Sequence, residues 1–439
     1  MNWREIRARI ALVGGSQLLQ KVVGFLVIAM MTRHLSREDM GEYFLAAAIG
    51  LITAQATELG TSRHLIRSIA RDNGDALGHL SRVISLRLPA MAAAFVTVNA
   101  ACLVVRPSLS ATLLLVSFYL LLQDLQFSYS AFFVGLERYG YRTAVDVMGQ
   151  VLLAGLTLLL ISRGGGLHAL LWAYVAAHAS VLAVTTWLIR SRHGPLRLHW
   201  SFETSRAVAR QSLPIFGVTL LDAVHFKVDT LMLGFLRPLP EVAAYSAAHR
   251  LLEVSRLGIR PIALIFFPIC VALAARHDWP QLRRLFRKLT RSSLLVGAAA
   301  TVVVVATAGW VVPIVFGPRY PDSIPLTRIL FLSAPMVFTG MLAVSIILTL
   351  HLEARAIRAS AWCIAANVLL NAIGISIWGP TAAAWVTLVT QTLWTVWLAR
   401  IVVWKLRTAS VERGPEEDAG DRVALVVAGE ELGPDAAAR

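Results

Sequence analysis

Between its Arg-rich and Gly- or Pro-bearing breaks, the chain is a succession of apolar runs. Each is close to the ~20 residues that a helix needs to cross a ~30 Å hydrocarbon layer. Twelve such runs predict twelve helices, over residues 10–32, 43–62, 84–105, 109–133, 144–161, 167–189, 213–236, 243–275, 292–316, 326–350, 359–378 and 381–404. The first follows Arg4, Arg7 and Arg9, a flank shared with secretory signal peptides. Gln17, Gln20 and Lys21 interrupt its apolar centre and no small-residue cleavage site follows, so it is expected to be a retained helix.

Composition narrows the class further. The 439 residues are 57% hydrophobic and 15% charged, with a mean hydropathy of +0.66. Soluble domains carry about 25% charged residues, so a water-soluble enzyme is excluded and an all-α integral membrane protein is expected. A net charge of +15 would point to nucleic acid in a soluble chain. Here the charge is sorted by side: 29 Lys and Arg fall on loops at the N-terminal face and 7 on the opposite loops. By the positive-inside rule both termini face the cytoplasm, and no nucleic-acid partner is expected. The stretch 279–289 places apolar residues at helical spacing beneath a basic face, which suits the headgroup plane of anionic membrane lipids. Cys102, Cys270 and Cys363 all lie in apolar runs, and no metal-ligand spacing occurs.

Two short segments recur. Leu35–Tyr43 and Leu239–Tyr245 each lie between the first and second helix of their own half. Six spans precede the seventh, so both copies share one topology. That predicts two parallel six-helix lobes with substrate between them. The expected organisation is an N-terminal lobe at 1–190, a cytoplasmic amphipathic linker at 191–212, a C-terminal lobe at 213–407 and a disordered, mostly acidic cytoplasmic tail at 408–439.

Ionisable groups inside spans are costly and are functional candidates by default. The eighth run carries His249, Glu253, Arg256 and Arg260 on one helical face, with Arg250 to one flank. The seventh carries Asp222, His225 and Asp229, with Lys227 on another face. Gln17 and Lys21 mark the first run, Gln55 and Glu58 the second, and Asp124 the fourth. One reading is a hydrated, net cationic cleft holding Gln17, Lys21, Glu58, Arg250, Glu253, Arg256 and Arg260. Arginine supplies forked donors suited to a diphosphate. The competing reading is that these charges pair across helices and lock the lobes. Asn367 and Asn371 are one turn apart, as are Thr387 and Gln391. With Asp229, the set Asn367, Asn371 and Thr387 offers hard oxygen ligands to a small cation. Interhelical hydrogen bonding is its competing reading.

The segments Thr32–Tyr43, Glu58–Gly60, Gly135–Arg138, Leu213–Pro214, Tyr245–Glu253 and Phe316–Tyr320, with Asp229, occur in an order spread over most of the chain. Together they resemble the polysaccharide flippase branch of the MOP superfamily, relatives of lipid II flippases and of multidrug and toxin extruders. The resemblance implies a MATE-like fold in a bacterial inner membrane. It also implies a non-enzymatic activity: flipping undecaprenyl-diphosphate-linked oligosaccharide to the outer leaflet by alternating access. Other polysaccharide assembly proteins would be its partners, and no cofactor is expected beyond coupling to sodium or protons. Some superfamily members bind sodium with a carboxylate where Asn371 stands here, so this chain keeps only one formal negative charge at that place. A cation-coupled drug or metabolite exporter on the same fold is the alternative. A membrane polymerase or ligase needs catalytic groups on a large outer loop, which the chain lacks, and no phosphate-binding loop for ATP appears.

Overall fold

The computed structural model describes residues 3–411 except 197 and 199–201. Its described residues form fifteen helices: α1 (Trp3–His34), α2 (Arg37–Glu58), α3 (Thr61–Arg71), α4 (Ala76–Val105), α5 (Ser110–Gly135), α6 (Tyr139–Ser162), α7 (Leu167–His193) and α8 (Phe202–Leu236). The remainder are α9 (Leu239–Ser255), α10 (Arg260–Ala275), α11 (Trp279–Phe316), α12 (Ser323–Phe331), α13 (Ala334–Thr349), α14 (Glu353–Trp378) and α15 (Pro380–Val411). Among the described residues nine helices are long and apolar enough to cross a bilayer, or ten when the bent pair α12–α13 is taken as one span. The chain is therefore an all-α multi-pass membrane protein. The acidic tail expected to be disordered lies outside the described residues beyond 411.

Several predicted runs change shape. The run 43–62 ends at Glu58, where Leu59 and Gly60 both take left-handed backbone (φ 53° and 71°) and turn the chain into the separate helix α3. The run 243–275 is two helices joined by a single 3-10 turn, Arg256–Gly258. Pro261 opens α10, where its missing N–H removes one bond that a continuous helix would need. The run 326–350 bends by 47° between α12 and α13. The basic amphipathic stretch 279–289 is the first part of the 38-residue α11 rather than a separate surface helix; Asp278 caps it by accepting from the Gln281 N–H at 3.0 Å. Part of the expected linker is likewise the start of α8, where Val208 packs with Leu65 and Ile69 of α3.

Arg87, one of the 29 basic residues counted on the N-terminal face, sits inside α4 with its side chain fully buried. Its long stem and the apolar run around it both favour helix, and Asp124 supplies the counter-charge that the count could not see.

The two halves meet along α2, which packs on α8 and α9. Contact is closest at the end bearing the α1–α2, α4–α5, α8–α9 and α11–α12 turns. A Cβ on Gly41 would run into the Leu239 backbone carbonyl, and one on Gly234 into the Leu45 side chain. Arg37 pairs with Asp322 at 2.7 Å and donates to the Pro240 carbonyl at 3.3 Å. Arg33 donates to the Ile314 carbonyl, Arg106 to the Gly234 carbonyl, and Arg319 to the Leu35 carbonyl at 3.4 Å. The cationic side chains thus fasten one half to backbone carbonyls of the other.

Candidate functional site

Two polar clusters occupy the second half, and α9 joins them. In the first, Asp229 of α8 is buried, so its carboxylate must be satisfied by protein donors. Tyr245 of α9 donates to Oδ2 at 3.0 Å, Thr387 of α15 to Oδ2 at 2.7 Å, and Asn371 of α14 to Oδ1 at 2.7 Å. Asn371 also donates to Asn367 Oδ1 at 2.9 Å, and Asn367 in turn donates to Thr390 Oγ1 at 3.2 Å. The four residues picked out by spacing therefore share one network. Asn371 Oδ1 is buried without a hydrogen-bond partner, so a 180° turn of that amide would bring an amide oxygen beside the carboxylate. Carboxylate, amide and hydroxyl oxygens are the donor set of a hard cation. Among the described residues no group of three His, Cys, Asp or Glu side chains could hold a metal ion.

Tyr245 was not singled out as a site residue. A tyrosine in an apolar helical run reads as packing, and only the partner helices reveal its hydroxyl's role. Aligning Tyr43 with Tyr245 is straightforward, because α1–α2 and α8–α9 are joined by turns of equal length. That register sets buried Val27 against Asp229. The carboxylate belongs to one half alone.

The second cluster centres on Glu253 of α9. Its carboxylate accepts from Lys227 of α8 at 2.6 Å and from Arg250 at 2.7 Å, and His249 Nδ1 lies 3.5 Å away. Lys227, expected on another face of its helix, reaches this group because α9 crosses it there. Tyr245, His249 and Glu253 follow at four-residue steps on one face of α9, and the Tyr245 and His249 rings stack at 5.9 Å and 19°. One face of α9 therefore runs from the Asp229 network to the cationic cluster. The Arg256 guanidinium lies 3.9 Å over the Phe226 ring, in the turn after Glu253. Two cations flank one carboxylate, with a third a turn away, so this region is net positive. Lys21 of α1 is exposed on its helix, and the side chains of Gln17 and Arg260 lie outside the described residues.

Glu58 belongs to a different neighbourhood. Its carboxylate accepts from the Gly60 and Ser62 N–H groups at 2.7 and 2.8 Å, capping α3. It also lines a cavity of about 410 Å³ with Arg63, Gln123, Asp124 and Arg142, to which Thr219 of α8 contributes from the other half. Asp124 is bound to Arg87, which also donates to Ser128, while Thr57 donates to Asp124 at 3.3 Å. These contacts knit α2, α4 and α5 together. Beside them Tyr43, Tyr119 and Tyr174 pack as a buried aromatic group, with Tyr119 and Tyr174 centroids 4.8 Å apart.

Comparison with known proteins fits this geometry. Structures of similar fold include an inward-facing multidrug resistance MATE family transporter of the MOP superfamily: TM-score 0.72 and 13% identity, covering 90% of this chain and 96% of that one. The lipid II flippase MurJ in an inward closed conformation gives 0.65 and 12% identity, covering 91% and 90%. A MOP superfamily transporter from Pyrococcus furiosus, described by a reversed polarity of its binding pocket, gives 0.61 and 13% identity, covering 92% and 96%. Among curated proteins, none matches the chain in sequence. A family model described as "Polysaccharide biosynthesis protein" matches residues 6–273. Matched over more than half its length, and folded as MOP-superfamily transporters are, the chain belongs to the polysaccharide biosynthesis protein family.

Proposed function

We propose that the chain is a transporter of an amphiphilic organic substrate, working by alternating access of two six-helix lobes and coupled to a small cation. In this reading α2–α3, α9–α10 and α12–α13 are each one broken span. The helices then make twelve crossings, both termini are cytoplasmic, and the tightly fastened turn end faces outward. The observation that carries the proposal is the convergence of Asp229, Asn367, Asn371, Thr387 and Tyr245 from four helices into one buried network, joined by one face of α9 to a cationic cluster. A cation entering the first cluster would draw Tyr245 and Asn371 out of their bonds to Asp229, and α9 would carry that change toward the second.

Two substrate classes fit the frame. The high fold similarity to a multidrug transporter supports an exporter of drugs or metabolites. The family match and the net positive charge around Lys227, Arg250 and Arg256 support an anionic substrate, an oligosaccharide carried on a lipid diphosphate. A diphosphate leaving water must regain hydration from charge-assisted bonds of roughly 1.5–3 kcal/mol each. A lipophilic cation would meet repulsion at the same place, so the lipid-linked oligosaccharide is the reading we adopt.

The experiment compares Arg256→Ala and Arg256→Lys in cells, scoring membrane abundance, surface polysaccharide and drug susceptibility together. The lipid-diphosphate reading expects normal abundance, strongly reduced polysaccharide with Ala, partial recovery with Lys, and unchanged drug susceptibility. Raised drug susceptibility with normal polysaccharide would instead establish the exporter.

A further inference from the structure

A second cavity, of about 670 Å³, lies in the groove between α14 and α15 and touches the edge of the Asp229 network at Thr390. It is lined from α14 by Arg355 and Trp362, and from α15 by Thr390, Trp397, Arg400 and Trp404. With Leu393, which also lines it, the α15 members recur at three- and four-residue steps, so they form a single stripe along that helix. Trp362 is 68% exposed, Trp397 42% and Trp404 47%. On helices that cross a bilayer, such faces meet lipid rather than water.

The groove has a defined depth and polarity. Arg400 lies 20 residues after the start of α15, and Arg355 lies 23 residues before the end of α14. At 1.5 Å per residue both stand about 30–35 Å from the α14–α15 turn, one hydrocarbon thickness away. The two guanidinium groups therefore sit at one and the same membrane interface. Trp404 is at that level too, with the Arg355 guanidinium stacked 3.9 Å over its ring. Thr390, only ten residues into α15, is near the bilayer midplane. The groove spans one leaflet, headgroup level to chain ends. Among the described residues neither Arg355 nor Arg400 has a carboxylate partner.

We infer that this groove is a binding site for an anionic diacyl phospholipid, with its phosphate on Arg355 and Arg400 and an acyl chain laid along Trp362 and Trp397 toward Thr390. Cationic heads at the interface and an apolar channel one leaflet deep match such a lipid in charge and in length. The inner end of the channel has a consequence of its own. Thr390 accepts the hydrogen bond from Asn367 of the Asp229 network, so the lipid's chain would press on the seam that holds that network.

Native mass spectrometry of the purified full chain tests the site, titrating dioleoyl phosphatidylglycerol against dioleoyl phosphatidylcholine. The first phosphatidylglycerol should bind more tightly than phosphatidylcholine, by about fivefold for each arginine engaged. Arg355→Gln with Arg400→Gln should erase the preference. The paired Lys variants should keep most of it, as should Arg358→Gln, an arginine on α14 outside the groove. Circular dichroism and monodispersity confirm that each variant is folded; should the Gln pair fail to fold, the single substitutions must each lose about fivefold. Equal affinity for the two lipids, or an undiminished preference in the Gln variants, would overturn the inference. So would effective competition by glycerophosphoglycerol alone, which would mark a headgroup-anion site with no acyl groove.

Discussion

Asp229 and Asp124 are both buried carboxylates, and their surroundings assign them opposite roles. Asp124 is neutralised by Arg87, and both side chains are buried. Removing one partner from such a pair typically costs 3–5 kcal/mol because the other charge is stranded. Asp124→Ala should therefore sharply lower membrane abundance and thermal stability. Asp124→Leu combined with Arg87→Met should recover most of that loss, and thermal unfolding of the three proteins in detergent checks it. Asp229, in contrast, is held among the described residues by neutral hydroxyl and amide donors. Sodium should raise the melting temperature of the purified protein relative to choline at equal ionic strength, and Asp229→Asn should abolish the difference. An identical melting temperature in both salts would remove sodium from the scheme. The sequence made the Asp229 set legible because Asn367 and Asn371 stand one turn apart, an unusual polar step in an apolar run. It hid Tyr245 and Lys227, whose partners lie on other helices, and it presented Glu58 as a span residue although its carboxylate caps α3.

At the scale of elements, close approach governs how α2 meets α8 and α9. Gly41 faces the Leu239 backbone, which cannot step aside as a flexible side chain would. Gly41→Val should force α2 from α9 and weaken the nearby Arg37–Asp322 pair. Spin labels on cysteines introduced at the exposed Glu38 and Arg328 should report a longer mean distance in that variant than in the parent, while an unchanged distance would show that the seam can absorb the side chain. Apolar length located the helices well, since burial in lipid demands it whatever the neighbours. It could not place the break at Arg256–Gly258 or the 47° bend between α12 and α13. Those depend on which backbone groups find other partners. It also could not show that 279–289 continues into α11, because an amphipathic start and an apolar continuation follow the same helical period.

At the scale of the molecule, the repeat announced by two short segments becomes an inter-half seam: Tyr43 and Tyr245 lie on the two helices, α2 and α9, that pack against each other. The halves are unlike in chemistry. The first buries Val27, an Arg87–Asp124 pair and a tyrosine group; the second carries the Asp229 network and the Glu253 cations. Such asymmetry suits the proposed scheme, in which one half would sense an ion and the seam between halves would open and close. The fastened end concentrates the cross-half contacts, and among the described residues Arg37–Asp322 at 2.7 Å is the ion pair that joins the halves there. Alternating access requires this pair to separate in each cycle. The decisive measurement introduces Arg37→Cys and Asp322→Cys, bridges them with a reducible bifunctional thiosulfonate, and follows surface polysaccharide export in the same cells; the native cysteines are buried. The account expects export to stop once the bridge forms and to resume on reduction, with either single substitution insensitive to the reagent. Undiminished export from fully bridged protein would contradict it.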